Sequence, residues 1–241
     1  MSLEDLSKRW DTFIQKLKDR FFEVIQQAEG PLDEVINNLQ YDNVVIINIK
    51  TALHNQTVIQ LWEKAEQGWE KMQGEMAKHG KIFFNQKTSE YNKLEQFREW
   101  LDTEFMKFEV AIFAKAARKI LDNVKKHIDE KKMHRCTQCA AELPINVYSF
   151  MAINLKCESC GSVNTYQPDD RGRALEYYVL NNLAEEYALP AKLRAKHDRF
   201  CQQEYYRMYY GYLMETVPDK KEFYQRDMDK RVNDPLFSMN F

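Results

Sequence analysis

Cys136-Thr137-Gln138-Cys139 and Cys157-Glu158-Ser159-Cys160 are two Cys-x-x-Cys pairs separated by 17 residues. Each pair can grip one side of a single ion, as a tetrahedral thiolate site requires. Four sulfurs fill the coordination shell, so the spacing points to a closed structural zinc site, with Cys136, Cys139, Cys157 and Cys160 as ligands. Redox-active dithiols or an iron site remain the alternatives open to the same residues. A Cys-x-x-Cys turn favours glycine after its second cysteine, because that position needs positive φ. Gly161 meets the need, whereas Ala140 stands in the equivalent place after Cys139. A left-handed alanine costs about 1–2 kcal/mol, against ~10–16 kcal/mol of apparent binding energy at structural zinc sites. The first turn is therefore expected to be slightly remodelled while still binding metal.

Around the cysteines lie short β-prone runs: Leu143 to Phe150, Met151 to Lys156, and Ser162 to Tyr166. Their alternating apolar and polar members predict a small antiparallel sheet carrying two cysteine turns. On these residues the segment 134–168 resembles a zinc ribbon, a generic four-cysteine module. The resemblance implies the ribbon fold and the zinc ion but no particular activity, since ribbons serve many functions. His134 is a possible substitute ligand, although a solvent-exposed histidine beside Arg135 is the simpler reading. The fifth cysteine, Cys201, sits in a helical pattern as a small buried apolar residue.

Outside the ribbon the chain is helical in pattern. Only 7 glycines and 6 prolines in 241 residues leave few breakers. Leu3, Leu6, Trp10, Ile14, Leu17, Phe21 and Val24 form one apolar stripe, with Ser2 as N-cap and Gly30-Pro31 as the stop. Val44 to Ile49 is β-branched enough for a strand but has no evident partner, so it reads as a buried helical segment. A second amphipathic helix runs from Val58 to Met76, and a third from about Thr88 to Glu130. After the ribbon, Asp169-Asp170 caps a helix closing near Leu189-Pro190. Another spans Ala191 to Glu215, and Asp219 to Val232 forms a last short one before the apolar tail 236–241. The predicted fold is mainly α: an elongated helical bundle with a small inserted β zinc ribbon. Its divisions are 1–133, the N-terminal part of the bundle; 134–168, the ribbon; and 169–241, a helical part packing back on the bundle. The helices flanking the ribbon should lie antiparallel.

Function is less legible. Apolar residues at 44% and charged ones at 30% describe a soluble globular chain, and a net charge of −2 gives no global pull towards nucleic acid or acidic membranes. No run approaches the ~20 apolar residues of a membrane span, and the N-terminus lacks a signal-peptide pattern. Reduced cysteine pairs suit a cytoplasmic setting. No phosphate-cradling glycine loop or nucleophile with a placed base is present, so no catalytic residues are expected and the chain reads as non-enzymatic. The favoured role is a zinc-stabilised interaction or assembly module, with a protein partner or self-association through the five tyrosines from Tyr205 to Tyr212 or the tail. The rival is nucleic-acid binding. Segment 115–135 carries eight basic residues against three acidic ones, and Lys192, Arg194, Lys196 and Arg199 form a second cluster. A thiol redox switch is third.

Overall fold

The computed structural model describes residues 3–78, 89–130, 134–145, 152–167, 171–195 and 199–233. The protein is mainly helical, with two small β-hairpins bearing the cysteines. It forms two compact units: one from residues 1–35 and 44–109, the other from 36–43 and 110–241.

In the first unit, α1 (Leu3–Asn37) opens with Glu4 and Asp5, whose charges suit the positive end of the helix dipole. The helix does not stop at Pro31 as expected. Pro31 and the preceding turn face solvent, where the Gln27 carbonyl that loses its partner can be hydrated, and Leu32 and Ile36 continue the buried stripe beyond it. Residues 44–49 are helical, within α2 (Val44–His54), and the chain passes through a π turn (Asn55–Ile59) into α3 (Gln60–Ala77). Inside that turn the fully buried Thr57 donates its hydroxyl to the Leu53 carbonyl at 2.6 Å, which satisfies both groups without water. The long helix α4 (Ser89–Glu130) supplies the remaining wall.

Contacts fix the directions. Ser7 reaches Glu90 at 3.0 Å, Lys93 reaches Asp11 at 2.6 Å, and Phe21 meets the Trp100 ring at 5.3 Å, so α1 and α4 run parallel. His54 lies on Phe105 and Trp69 on Tyr91, so the α2–α3 rod runs antiparallel to α4. Trp10, Phe21, Leu61, Trp69, Phe97 and Leu101 are buried in this unit, and the Trp10 indole N–H donates to the Glu90 carbonyl.

The second unit begins where Asn123 on α4 donates to the carbonyls of Leu39 and Gln40 at 2.7 and 2.9 Å, capping the turn after α1. Next come β1 (His134–Arg135), β2 (Glu142–Leu143), β3 (Ile153–Lys156) and β4 (Val163–Tyr166). They form two separate antiparallel pairs, β1 with β2 and β3 with β4, rather than the single sheet expected. Each knuckle closes its own hairpin, so no strand needs a third partner. The expected extension of the first run to Phe150 and the Asp169-Asp170 cap lie outside the described residues, as do Ser2, Lys196 and the tail 236–241.

A continuous helical stretch follows: α5 (Arg171–Ala174), a π turn (Leu175–Leu180) and α6 (Asn181–Ala195). Arg171 bonds His127 and Arg118 pairs with Glu186, so this rod runs antiparallel to the end of α4, as the sequence suggested. Ala117, Ile120 and Val124 pack with Ala174, Leu175 and Val179 between them. Pro190 does not end α6, and residues 191–195 belong to that helix instead of the next. Pro190 is exposed, and buried alanines at 184, 188, 191 and 195 hold the helix against its neighbour on both sides of it. Then come α7 (Arg199–Thr216), a 3₁₀ turn (Pro218–Lys220) and α8 (Lys221–Asn233). The tyrosines of α7 are largely core. Tyr205, Tyr206 and Tyr210 are buried in one cluster with Ala184, Ala188 and Ala191, small side chains that leave room for rings. Their hydroxyls find polar partners: Tyr205 donates to Glu185 at 2.6 Å, Tyr209 to Asn181 at 3.0 Å, and Tyr210 accepts from Arg231 at 2.9 Å. Cys201 is half-buried, not a core residue.

Candidate metal centre

The two knuckles have the same backbone. Cys136 N–H donates to Ala141 O and Ala140 N–H to Cys136 O, at 2.8 and 2.9 Å. In the second hairpin Cys157 N–H donates to Ser162 O and Gly161 N–H to Cys157 O, both at 2.8 Å. Ala140 adopts φ +56° and Gly161 φ +74°. The first turn is therefore not remodelled: Ala140 takes the left-handed conformation outright, and the two backbone hydrogen bonds of the turn close around it.

The result is a convergence of four thiols. The Sγ atoms of Cys136, Cys139, Cys157 and Cys160 all lie within 4.8 Å of one another. Across the hairpins, Cys136 faces Cys160 and Cys139 faces Cys157, each at 3.5 Å, and all four cysteines are free. A tetrahedron with metal–sulfur bonds of ~2.3 Å has edges of about 3.8 Å, so the four donors fit one ion with only small adjustments. Cys136 and Cys157 are buried with Leu143, forming a miniature core, while Cys139 and Cys160 stay exposed.

Two residues that sequence reasoning passed over support the ligands. Ser162 places its hydroxyl 3.0 Å from both Cys136 Sγ and Cys160 Sγ. Asn164 is buried; its Oδ1 accepts from Thr137 N–H at 2.8 Å and from the Thr137 hydroxyl at 3.0 Å, while its amide donates to Cys136 Sγ at 3.6 Å. One side chain of the second hairpin thus braces the turn of the first. The available signal was position: Ser162 follows directly on Cys160-Gly161, and Asn164, two residues on along β4, lies on the same side of the strand.

Charge makes the cluster suited to a cation. The Ser162 hydroxyl, with the backbone N–H groups of Cys139 and Gln138, lowers the Cys136 thiol to about 5. Cys160 is likewise lowered, first by the Ser162 hydroxyl. Cys139 receives a stabilising N–H from Ala141, but the sulfurs of Cys160 and Cys157 outweigh it and push it up to about 12. Four thiolates at this separation repel one another, and a bound metal ion removes that conflict. His134 contributes no ligand to the cluster. Its ring meets Tyr166 edge-on at 5.4 Å with Nε2 buried, so it joins the two hairpins instead of facing solvent beside Arg135.

Of the basic residues singled out in the sequence, Arg118 pairs with Glu186, Lys192 with Glu185 and Arg194 with Glu204. Those charges serve the second unit's own packing. Lys131, Lys132 and Lys196 lie outside the described residues. No helix among the described residues is long and apolar enough to cross a membrane. No protein-family model, no curated protein and no solved structure matches this chain.

Proposed function

We propose that Cys136, Cys139, Cys157 and Cys160 hold a structural zinc ion, and that the protein acts without catalysing a reaction, as an interaction or assembly module for other protein chains. The convergence of four sulfurs within 4.8 Å carries the first part. An all-thiolate tetrahedral set suits zinc better than hard cations, which take oxygen, and it leaves no open position for substrate. The ion would hold together two hairpins that are too small to persist alone.

Support for the second part comes from the start of α2. Val44, Val45 and Ile47 are 51, 40 and 43% exposed while Ile46 between them is fully buried. At 100° per residue the three outward side chains span about 160° of the first turn of α2, a small apolar patch that a partner chain could cover, with the polar Asn48 and Thr51 continuing the same arc one turn on. The nucleic-acid reading draws less support, because three of its proposed cations already pair with carboxylates.

Metal analysis of protein purified without added metal should find about one zinc per chain, and Cys157→Ser should lose the zinc while keeping most of the helical circular dichroism. A protein loaded with iron, or with no metal, would overturn the zinc assignment. For the interaction role, Val44→Asp/Ile47→Asp should lose chains that the wild type retains in crosslinking; identical recovery by both proteins would remove the support.

A further inference from the structure

In the first unit, a cavity of about 380 Å³ opens between α1 and α3. Its floor is apolar. Leu6, Trp10 and Met72 are buried there, and the Phe13 ring stacks on Trp10 with centroids 5.7 Å apart. Gly68 makes this floor possible: a Cβ in its place would lie 2.5 Å from Phe13 Cε1, so a larger residue would displace the ring from α3.

The mouth is cationic. Arg9 comes from α1, and Lys64 and Lys71, two turns apart on one face, come from α3, against the single carboxylate of Glu75. Glu75 already pairs with Lys78 at 2.7 Å. Lys8, Lys50 and Lys93 of this unit sit on carboxylates, whereas Lys64 and Lys71, like Lys16 and Lys18, make no ion pair with any described residue. Two cations at the lip of an aromatic-floored cavity suit a ligand that is apolar at one end and negative at the other.

We propose that this cavity binds an anionic amphiphile: a carboxylate held by Lys64 and Lys71, on an apolar body lying over Trp10 and Phe13. Size limits the ligand. At ~30 Å³ for each water displaced, the cavity takes about a dozen non-hydrogen atoms, the size of a ten-carbon carboxylate. The site is independent of the metal centre and of the interaction role.

Calorimetric titration of the full chain with decanoate, below its micelle concentration, tests the assignment. One decanoate should bind per chain. Decan-1-ol, equal in length but uncharged, should bind about tenfold more weakly, in line with the loss of a charge-assisted contact. Decyltrimethylammonium should not bind. Lys64→Glu/Lys71→Glu should weaken decanoate at least tenfold with an unchanged melting temperature, since both side chains are exposed and neither forms an ion pair with a described residue. Failure of the wild type to take up decanoate, equal affinity for the alcohol, or indifference to the double charge reversal would each overturn the proposal.

Discussion

If the four cysteines hold a metal ion as proposed, Ala140→Gly should tighten its binding. Ala140 sits at φ +56°, in the same place within its knuckle as Gly161 at +74°. Glycine there relieves about 1–2 kcal/mol of left-handed strain, less the ~0.4–1 kcal/mol of extra chain entropy it brings to the unfolded state. The net gain is on the order of 0.5–1 kcal/mol, and where hairpin folding and metal binding are one event it appears as about a 2–5-fold lower Kd. The converse can be read at the other knuckle. A Cβ added to Gly161 would meet nothing within 4 Å, so Gly161→Ala carries the conformational cost alone and should weaken binding by a similar factor. The two knuckles are separate turns, so the double variant should return close to wild type. Chelator competition, following metal transfer at several chelator concentrations, resolves differences of this size. If Ala140→Gly leaves the affinity unchanged or lowers it, the equivalence of the two turns does not govern stability, and the strain argument fails.

Other consequences are equally direct. Asn164→Leu should lower metal affinity about 10–100-fold, because it strands the Thr137 N–H and removes the donor to Cys136 Sγ; chelator competition reads this too. Burial raises Tyr205, Tyr209, Tyr210 and Tyr224 above the ordinary phenol range, so the folded chain keeps protons that the unfolded chain releases above about pH 10. Their contribution is complete below that pH and is lost as pH rises; denaturant titrations at pH 9 and 11 should show the loss, and no decline would argue that these rings are solvated. Pro190→Ala should stabilise the second unit by about 2 kcal/mol, since it restores an interior helical hydrogen bond, less some gain in unfolded-chain entropy. A lower midpoint in urea would show that the ring of Pro190 contributes packing that its exposure hides.

Helices were legible wherever apolar spacing was regular, as in Leu6, Trp10, Ile14, Leu17 and Phe21, and the convergence of the four cysteines was legible because Cys-x-x-Cys spacing encodes its own turn. Proline misled twice. A proline penalty of ~3 kcal/mol reads as a stop in one dimension, but Pro31 and Pro190 face solvent while buried residues on either side hold the helix together. Segment 44–49 was ambiguous because β-branched side chains are compatible with either state, and the contact that decides it, Ile46 buried in the first unit, lies far away in sequence. Asn164 and Ser162 were missed for a different reason. Their importance lies in hydrogen bonds across two hairpins, and the sequence carries no periodic trace of such a bond.

The alanine row on α6 limits how this sequence can drift. Ala184, Ala188 and Ala191 share one cluster with Tyr205, Tyr206 and Tyr210, each surrendering the volume that a ring occupies. Enlarging an alanine crowds a ring, and shrinking a ring leaves a void beside an alanine, so either change alone is disfavoured. Among related sequences the two helices should therefore vary as linked pairs, a bulkier residue at 184, 188 or 191 accompanied by a smaller one on α7, while the exposed positions between them change freely.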